Sequence, residues 1–164
     1  MKISYAIPVC NEYKEVEHLL DYLVKHIRTE DEIVIQCDQG NTTQEVYEVL
    51  NKYKAPAGYI DPIKVIEFSL NNDFASFKNN LKDNCSGDYI FQIDADEYPE
   101  EYLIQHVDWF IKNNPDTDVF WVPRINKVIG LTQDHINKWN WNVDPEGRIN
   151  FRTTNVVSLK TPQI

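Results

Sequence analysis

Apolar runs of strand length alternate with segments whose apolar residues recur at helical spacing, and this alternation constrains the fold of the 164-residue chain most. Strands that alternate with helices predict a mostly parallel sheet with helices on both faces. We therefore expect one α/β domain over residues 1–164. The predicted strands are Ile3–Val9, Glu32–Cys37, Ile63–Phe68, Tyr89–Ile93 and Val119–Val122, with Arg124–Ile129 as a candidate sixth.

The predicted helices lie between these strands. Val16–Ile27 repeats apolar residues at helical spacing, and Thr42 with Glu45 forms a predicted capping box ahead of a second helix. A third helix is predicted near Phe74–Asn84, and a fourth begins near Pro99.

Composition and charge exclude several kinds of protein. A hydrophobic content of 42% with 12% aromatic residues suits a packed core better than a disordered chain. The net charge of −10 argues against binding to nucleic acid or anionic lipid, because both need clustered Lys and Arg. An acidic protein that binds a phosphate group gains from a bound cation, which favours a metal site.

The sequence shows no sign of secretion or membrane insertion. Met1-Lys2 leads directly into a short apolar strand, and no segment approaches the roughly 20 apolar residues of a transmembrane helix. Cys10, Cys37 and Cys85 match no metal-binding spacing. We expect reduced thiols in a cytoplasmic protein.

Polar turns follow three of the predicted strands, namely Asn11-Glu12, Asp38-Gln39 and Asp94–Glu97. Parallel sheets bind ligands at the carboxyl ends of their strands, so these turns belong on one rim. Asp94 and Asp96 end a buried strand, where two carboxylates are costly without a cation or hydrogen bonds. Mg²⁺ and Mn²⁺ take carboxylate oxygens and share them with phosphates. The alternative is an acidic turn that only precedes the next helix.

Four segments, in order, resemble the family 2 glycosyltransferases. Ile3–Glu12 resembles the family's first strand, which typically ends Pro-Val-Tyr-Asn-Glu, and Asp31–Thr42 resembles its second strand and Asp-rich turn. Phe74–Asn79 resembles the segment that leads into the Asp-x-Asp strand. Ser86–Glu97 carries Asp-Ala-Asp-Glu, similar to enzymes that add sugars to lipopolysaccharide cores and to related phage-encoded enzymes.

The resemblance implies a GT-A fold that transfers sugar from a nucleoside-diphosphate sugar, a UDP-sugar, to a glycan or lipid-linked hydroxyl acceptor. It implies inversion at the anomeric carbon and Mn²⁺ or Mg²⁺ as cofactor. Residues 1–100 then form the nucleotide-sugar-binding half, and residues 101–164 form an incomplete acceptor-side half.

The family's roles carry over residue by residue. Asp38 matches the aspartate that contacts the base, and Lys78 is a candidate for the donor phosphates. Asp96 is expected to ligate the metal, and Asp94 to approach the ribose or a metal-bound water. The other nucleotide-sugar-binding candidates are Pro8, Val9, Asn11, Glu12 and Ala95.

Three of these assignments have structural alternatives. Glu12 would also suit the start of the first helix, and Asp38 would also suit an Asx turn. Lys78 would also suit a solvated helix surface.

The acceptor half lacks the family's usual acidic signature. An inverting transferase needs a general base for the acceptor hydroxyl, and the candidates are Asp134, Asp144 and Glu146. His135 is a candidate metal ligand. Arg152–Ile164 has no helical or strand pattern, and family domains usually continue further. We therefore expect a truncated product, a fragment or a compact viral enzyme.

Three other functions are alternatives, and the sequence disfavours the second and the third. A truncated module would bind the nucleotide sugar without transferring it. A nucleotidyltransferase would need a Gly-rich basic loop after the first strand, and Pro8–Glu12 has none. A pure interaction domain would leave the rim carboxylates without a purpose. Trp139 and Trp141 are candidates for sugar stacking, core packing or a homo-oligomer contact.

Overall fold

The computed structural model describes residues 1–55, 63–123, 132–138 and 154–157. The strands in these ranges are β1 (Ile3–Val9), β2 (Glu32–Asp38), β3 (Ile63–Phe68), β4 (Tyr89–Gln92), β5 (Phe120–Pro123) and β6 (Thr154–Val157). The helices are α1 (Tyr13–His26), α2 (Gln44–Lys52), α3 (Phe74–Asp83), α4 (Glu101–Lys112) and α5 (Gln133–Lys138).

The strands form one sheet in the order β3-β2-β1-β4-β6-β5. β1 pairs in parallel with β2 and β4, and β2 pairs in parallel with β3. β6 is antiparallel to both of its neighbours, β4 and β5. The predicted mostly parallel sheet is therefore confirmed, and the four parallel strands end at one rim.

Helices cover both faces of this sheet, as the strand patterns predict. Successive strand residues point to opposite faces. Tyr5 and Ile35 belong to the larger core, which includes the buried sides of α1, α2 and α4. Ala6 and Val34 face the other way and pack with Leu81 of α3. Each buried aliphatic side chain contributes roughly 1.5–3 kcal/mol to folding.

A polar cluster joins the amino ends of the strands. Glu32 Oε2 accepts hydrogen bonds from Lys2 Nζ at 2.7 Å and Ser86 Oγ at 2.8 Å. Glu32 Oε1 accepts from Ser4 Oγ at 2.5 Å and the Ser86 amide at 2.6 Å. Burial alone would raise the pKa of Glu32, but these hydrogen bonds outweigh it and lower the pKa to about 2. A Cβ at neighbouring Gly87 would lie 2.7 Å from the Ser4 backbone nitrogen, so this approach requires glycine.

The predicted capping box of the second helix is wrong. Thr43, not Thr42, is the N-cap residue of α2, and its side chain makes no capping hydrogen bond. The Thr42 hydroxyl instead donates to the Asp38 carbonyl oxygen at 3.0 Å. The Thr42 hydroxyl, which was predicted to cap the helix, therefore stabilises the turn after β2 instead.

A strand was also missed near the end of the chain. Thr154–Val157 forms β6, although no element was predicted over Arg152–Ile164. Four residues are too few to show a period of their own, and pairing with β4 and β5 defines the strand. The candidate strand Arg124–Ile129 lies outside the described residues. No helix within the described ranges has the length and apolar character needed to span a membrane.

Candidate active site at the carboxyl ends of the strands

The turns that follow the parallel strands are joined by hydrogen bonds at one rim. The Thr43 amide, after β2, donates to the Cys10 carbonyl oxygen, after β1, at 2.9 Å. The Leu70 amide, after β3, donates to Asp38 Oδ1 at 2.9 Å. Below the rim, the Ile93 amide, after β4, continues the β1–β4 ladder by donating to the Ala6 carbonyl oxygen within β1 at 3.0 Å. The rim predicted from the polar turns is therefore present.

Lys78 and Asp94 form the charged pair of this rim. Lys78 Nζ, on α3, lies 3.1 Å from Asp94 Oδ1, just after β4. Their side chains are 31% and 51% exposed, and pairs so open to water contribute only about 0–1 kcal/mol. A ligand with stronger negative charge can therefore compete for the Lys78 ammonium. The predicted role of Lys78 toward the donor phosphates stays a prediction.

The turn after β4 is anchored at its centre and exposed at its flanks. Ala95 is buried in the larger core, whereas Asp94 and Asp96 are exposed. The Glu97 amide donates to the Asp94 carbonyl oxygen at 2.9 Å, and Glu97 Oε2 accepts from the Asp94 amide at 3.1 Å. Burial raises the pKa of Tyr98 most, and the negative charges of Glu15 and Asp96 raise it further. The Asp96 carboxylate is therefore near enough to the Tyr98 phenol to disfavour its ionisation. Ala95 holds the turn in place and points its methyl group away from the rim.

Glu12 organises the turn after β1. Its Oε2 accepts hydrogen bonds from the amides of Cys10 at 2.9 Å and Asn11 at 3.0 Å. Glu12 is also the N-cap residue of α1, which agrees with the structural alternative for this residue. Burial, then Glu12 and Asp38, raise the pKa of the Cys10 thiol.

The other predicted residues at the end of β1 and just after it differ in exposure. Val9 is buried in the larger core, Pro8 is half-buried and Asn11 is exposed. Pro8 pairs in register with Gln36 of β2, and both lie on the sheet face that α3 covers. Only Pro8 and Asn11 of this segment therefore offer side chains to a ligand at the rim.

Asp38 is almost fully buried at 6% exposure, and both of its carboxylate oxygens already accept hydrogen bonds. Oδ1 accepts from the Leu70 amide at 2.9 Å, and Oδ2 accepts from Asn41 Nδ2 at 3.0 Å. Asp38 thereby fastens the turn after β2 to the turn after β3. Each oxygen has a second lone pair, so a contact with a base is compatible with this role. The predicted base contact stays a prediction.

The sequence analysis missed the turn after β3, which forms a fourth segment of the rim. Asn71 and Asn72 have left-handed backbone angles, with φ of 46° and 59°. Asp73 caps α3, because its Oδ1 accepts from the Ser76 amide at 3.0 Å and its Oδ2 from Ser76 Oγ at 2.6 Å. Two asparagines followed by an aspartate, with serine three residues later, are the signal that would have found it.

Among the predicted acceptor residues, only Asp134 has a side chain within the described part of the chain. Asp134 lies on α5, and its exposed carboxylate pairs with Lys138 Nζ at 2.8 Å. His135 lies on α5 as well, but its side chain is outside the described residues, as are Asp144 and Glu146. Trp139 and Trp141 are also outside them.

Three comparisons relate this arrangement to known proteins. A sequence profile described as glycosyl transferase family 2 matches residues 4–162. A poly(ribitol-phosphate) beta-glucosyltransferase of Bacillus spizizenii is 28% identical over 146 residues, which cover 88% of this chain and 22% of that protein. The chain thus spans about a fifth of the length of this curated relative.

Solved structures of S. aureus TarS share the fold. TarS 1-349 superposes with a TM-score of 0.64 at 24% identity, and its complex with UDP superposes with 0.65 at 23% identity. Each match covers 80% of this chain and 38% of the TarS chain. The mostly parallel α/β sheet is therefore a GT-A fold, as expected. Since the family profile extends from β1 to beyond β6, the chain belongs to glycosyl transferase family 2.

Proposed function

We propose that this chain forms the donor-binding part of a metal-dependent glycosyltransferase that uses a UDP-sugar. The main observation behind the proposal is the Lys78–Asp94 ion pair beside Asp96, at the rim of a family 2 fold. Two comparisons support the proposal, since the curated relative is named a beta-glucosyltransferase and one TarS structure holds UDP. The acceptor would be a hydroxyl of a glycan or of a lipid-linked molecule.

The diphosphate of the donor fits the charged pair. Lys78 supplies a compact positive charge on a flexible stem, and Asp94 holds it at the rim until a phosphate oxygen competes for it. The base would lie toward β2, where Pro8 and Asp38 share the sheet face that α3 covers. The donor would therefore extend along the rim from β2 to β4.

The residues present fit a hard divalent cation. Asp94 and Asp96 offer carboxylate oxygens, which Mg²⁺ and Mn²⁺ prefer. No group of three or more potential ligands occurs within the described ranges, so Mg²⁺ or Mn²⁺ at this site would share its coordination with the donor phosphates. When bound, the metal neutralises charge on the departing diphosphate. Residue His135 stays the candidate third ligand.

The proposed transfer is a single displacement with inversion. The acceptor oxygen forms a bond to the anomeric carbon as the bond from that carbon to the diphosphate breaks. The acceptor proton passes to a carboxylate, for which Asp134, Asp144 and Glu146 are the candidates. Attack from the face opposite the leaving group inverts the anomeric configuration.

Calorimetry tests the donor site. We expect Mn²⁺-dependent binding of UDP or UDP-glucose in preference to GDP-mannose or CTP, with loss of binding in EDTA and in Asp96→Ala. Lys78→Met should weaken UDP binding by about tenfold or more, because charge-assisted contacts to phosphate are worth roughly 1.5–3 kcal/mol. Lys82→Met, one turn further along α3, is the matched control and should bind like the parent.

Each outcome has a distinct meaning. Equal binding in Mn²⁺ and EDTA would contradict the metal dependence, and equal effects of the two lysine variants would contradict the role of Lys78. Binding of no nucleotide by the folded protein would overturn the donor site. Binding without sugar transfer to any hydroxyl acceptor would favour a donor-binding module instead.

A further inference from the structure

One exposed aromatic ring, Phe74, lies beside the rim without a part in the proposed chemistry. Its side chain is 66% exposed, although the next phenylalanine on α3, Phe77, is buried at 5%. Phe74 is three residues before Phe77 and four before Lys78, so all three lie on one side of α3. That side faces the sheet, because Phe77 is buried and Lys78 contacts Asp94.

The position of Phe74 along the strand direction follows from one buried hydrogen bond. Gln36 Nε2 donates to the Phe77 carbonyl oxygen at 2.7 Å, which places the Phe77 backbone over Gln36 of β2. Asp38 points to the same face as Gln36, about 6.6 Å closer to the rim. Phe74 lies about 4.5 Å closer to the rim than Phe77, since each helical residue rises about 1.5 Å and α3 begins at Phe74. Along the strand direction, the Phe74 backbone is therefore within about 2 Å of the level of Asp38.

Hydrogen bonds of the turn before Phe74 also fix the position of this residue at the rim. The turn before Phe74 is tied to Asp38 through the Leu70 amide at 2.9 Å and to Gln39 through Ser69 Oγ at 3.3 Å. Asp73, immediately before Phe74, caps the helix. The exposed ring is thus held on a rigid helix terminus.

We propose that Phe74 is a specificity-determining residue of the donor site, whose ring forms a stacking surface for the nucleobase. This inference rests on the proposed function. The nucleobase is the part of the donor that suits this place, since it has a flat π face and polar edges. Asp38 offers an acceptor at the same level, whereas Lys78, the candidate for the diphosphate, and its partner Asp94 lie toward β4. Stacking of a base on an aromatic side chain is worth about 1–3 kcal/mol.

Binding of two probes tests the assignment. UDP and inorganic pyrophosphate are titrated into the parent chain, Phe74→Ala, Phe74→Trp and Trp109→Ala, in the metal that supports UDP binding. We expect Phe74→Ala to weaken UDP binding by roughly 5- to 100-fold and to leave pyrophosphate binding unchanged, because only UDP carries a base. Phe74→Trp should retain UDP binding. Trp109, 55% exposed on α4 at the opposite face, is the matched control and should have no effect.

Four results would overturn the inference. UDP affinity unchanged in Phe74→Ala would exclude stacking on this ring. Equal weakening of UDP and pyrophosphate would show that the ring supports the rim without contacting the base. If the parent binds pyrophosphate but not UDP, the base site fails while the phosphate site survives. If the parent binds neither, the proposed function fails and the inference falls with it.

Discussion

Carboxylate side chains in this protein serve two purposes that depend on where they lie. Glu32, Asp38 and Glu12 accept hydrogen bonds from backbone amides and hold turns together. Asp94 and Asp96 are exposed at the rim, where a cation or a ligand can reach them. The first group should therefore act mainly on stability, with Asp38 also the predicted contact for the base, and the second group should act on binding.

Glu32 gives the first prediction at the scale of single residues. Its folded pKa of about 2 lies below the ordinary 4.5, so its stabilising effect is present above pH 4.5 and is lost as the pH falls toward 2. We expect Glu32→Gln to lower the free energy of unfolding at pH 7 by roughly 2–3 kcal/mol. Urea unfolding from pH 7 to pH 3 should show a flatter acid dependence for the variant.

Glu48→Gln, at an exposed position of α2, is the control and should follow the parent chain at every pH. Parallel stability curves for Glu32→Gln and the parent would contradict the assigned role of the cluster at the amino ends.

The sequence allowed residues to be assigned to the rim, but not their individual contacts. Asp94 could be placed because it follows a buried strand, and Lys78 because its segment resembles one that precedes the Asp-x-Asp strand in family 2 glycosyltransferases. The buried state of Asp38 depends on the Leu70 amide, 32 residues away, and no local pattern encodes that contact. The Glu12 carboxylate accepts a hydrogen bond from its own turn. The sequence suggests that Glu12 begins a helix, but it does not specify this hydrogen bond.

At the scale of elements, α2 and α3 begin differently although both follow a polar turn. The Asp73 side chain caps α3, whereas the Thr43 side chain makes no capping hydrogen bond to α2. A cap satisfies amides that have no partner within the helix. Among α1 to α4, only α3, the helix that carries Lys78 and Phe74, is therefore fastened at its first turn by its N-cap side chain.

These two caps form a matched pair for mutation. Asp73→Ala should lower the free energy of unfolding by about 1 kcal/mol. Thr43→Ala should change it little, because the Thr43 hydroxyl is buried without a hydrogen-bond partner among the described residues. Thermal unfolding of both variants provides the measurement, and an equal loss in the two would contradict the assigned cap.

Helices and strands were predicted where a periodic hydrophobic pattern extends over several residues. They were missed where pairing with neighbouring strands defines the element. The α1–α4 helices and β1–β4 strands have hydrophobic patterns that extend over several residues, and wherever a bound was predicted it agrees within about three residues with the observed one. β6 has only four residues and owes its existence to two neighbouring strands. Such a strand can be recognised only when its partners are known.

At the scale of the whole molecule, the two ends of the sheet are functionally separate. The Glu32 cluster holds the amino ends, and the rim with Asp96 lies at the carboxyl ends, a strand length away. Distant sites without shared partners usually contribute additively to stability. Binding at the rim should therefore stabilise the fold whether or not the other end is intact.

Ligand-dependent melting tests this separation. A ligand at 100 times its dissociation constant stabilises a folded protein by about 2.7 kcal/mol, or roughly 5–10 °C in a domain of this size. We expect UDP with Mn²⁺ to raise the Tm of the parent and of Glu32→Gln by similar amounts, and to leave Asp96→Ala unshifted. A shift that vanishes in Glu32→Gln would show that the two ends are coupled.

The position of β6 inside the sheet has a consequence for how the protein is made. β5 leaves the ribosome before β6, yet it joins β4 only through β6. Synthesis of residues 124–153 takes roughly 2–6 s, and during that time the outer edge of β4 offers unpaired amides and carbonyls. The nascent chain should be most open to chaperone capture or to mispairing with another polypeptide in this interval.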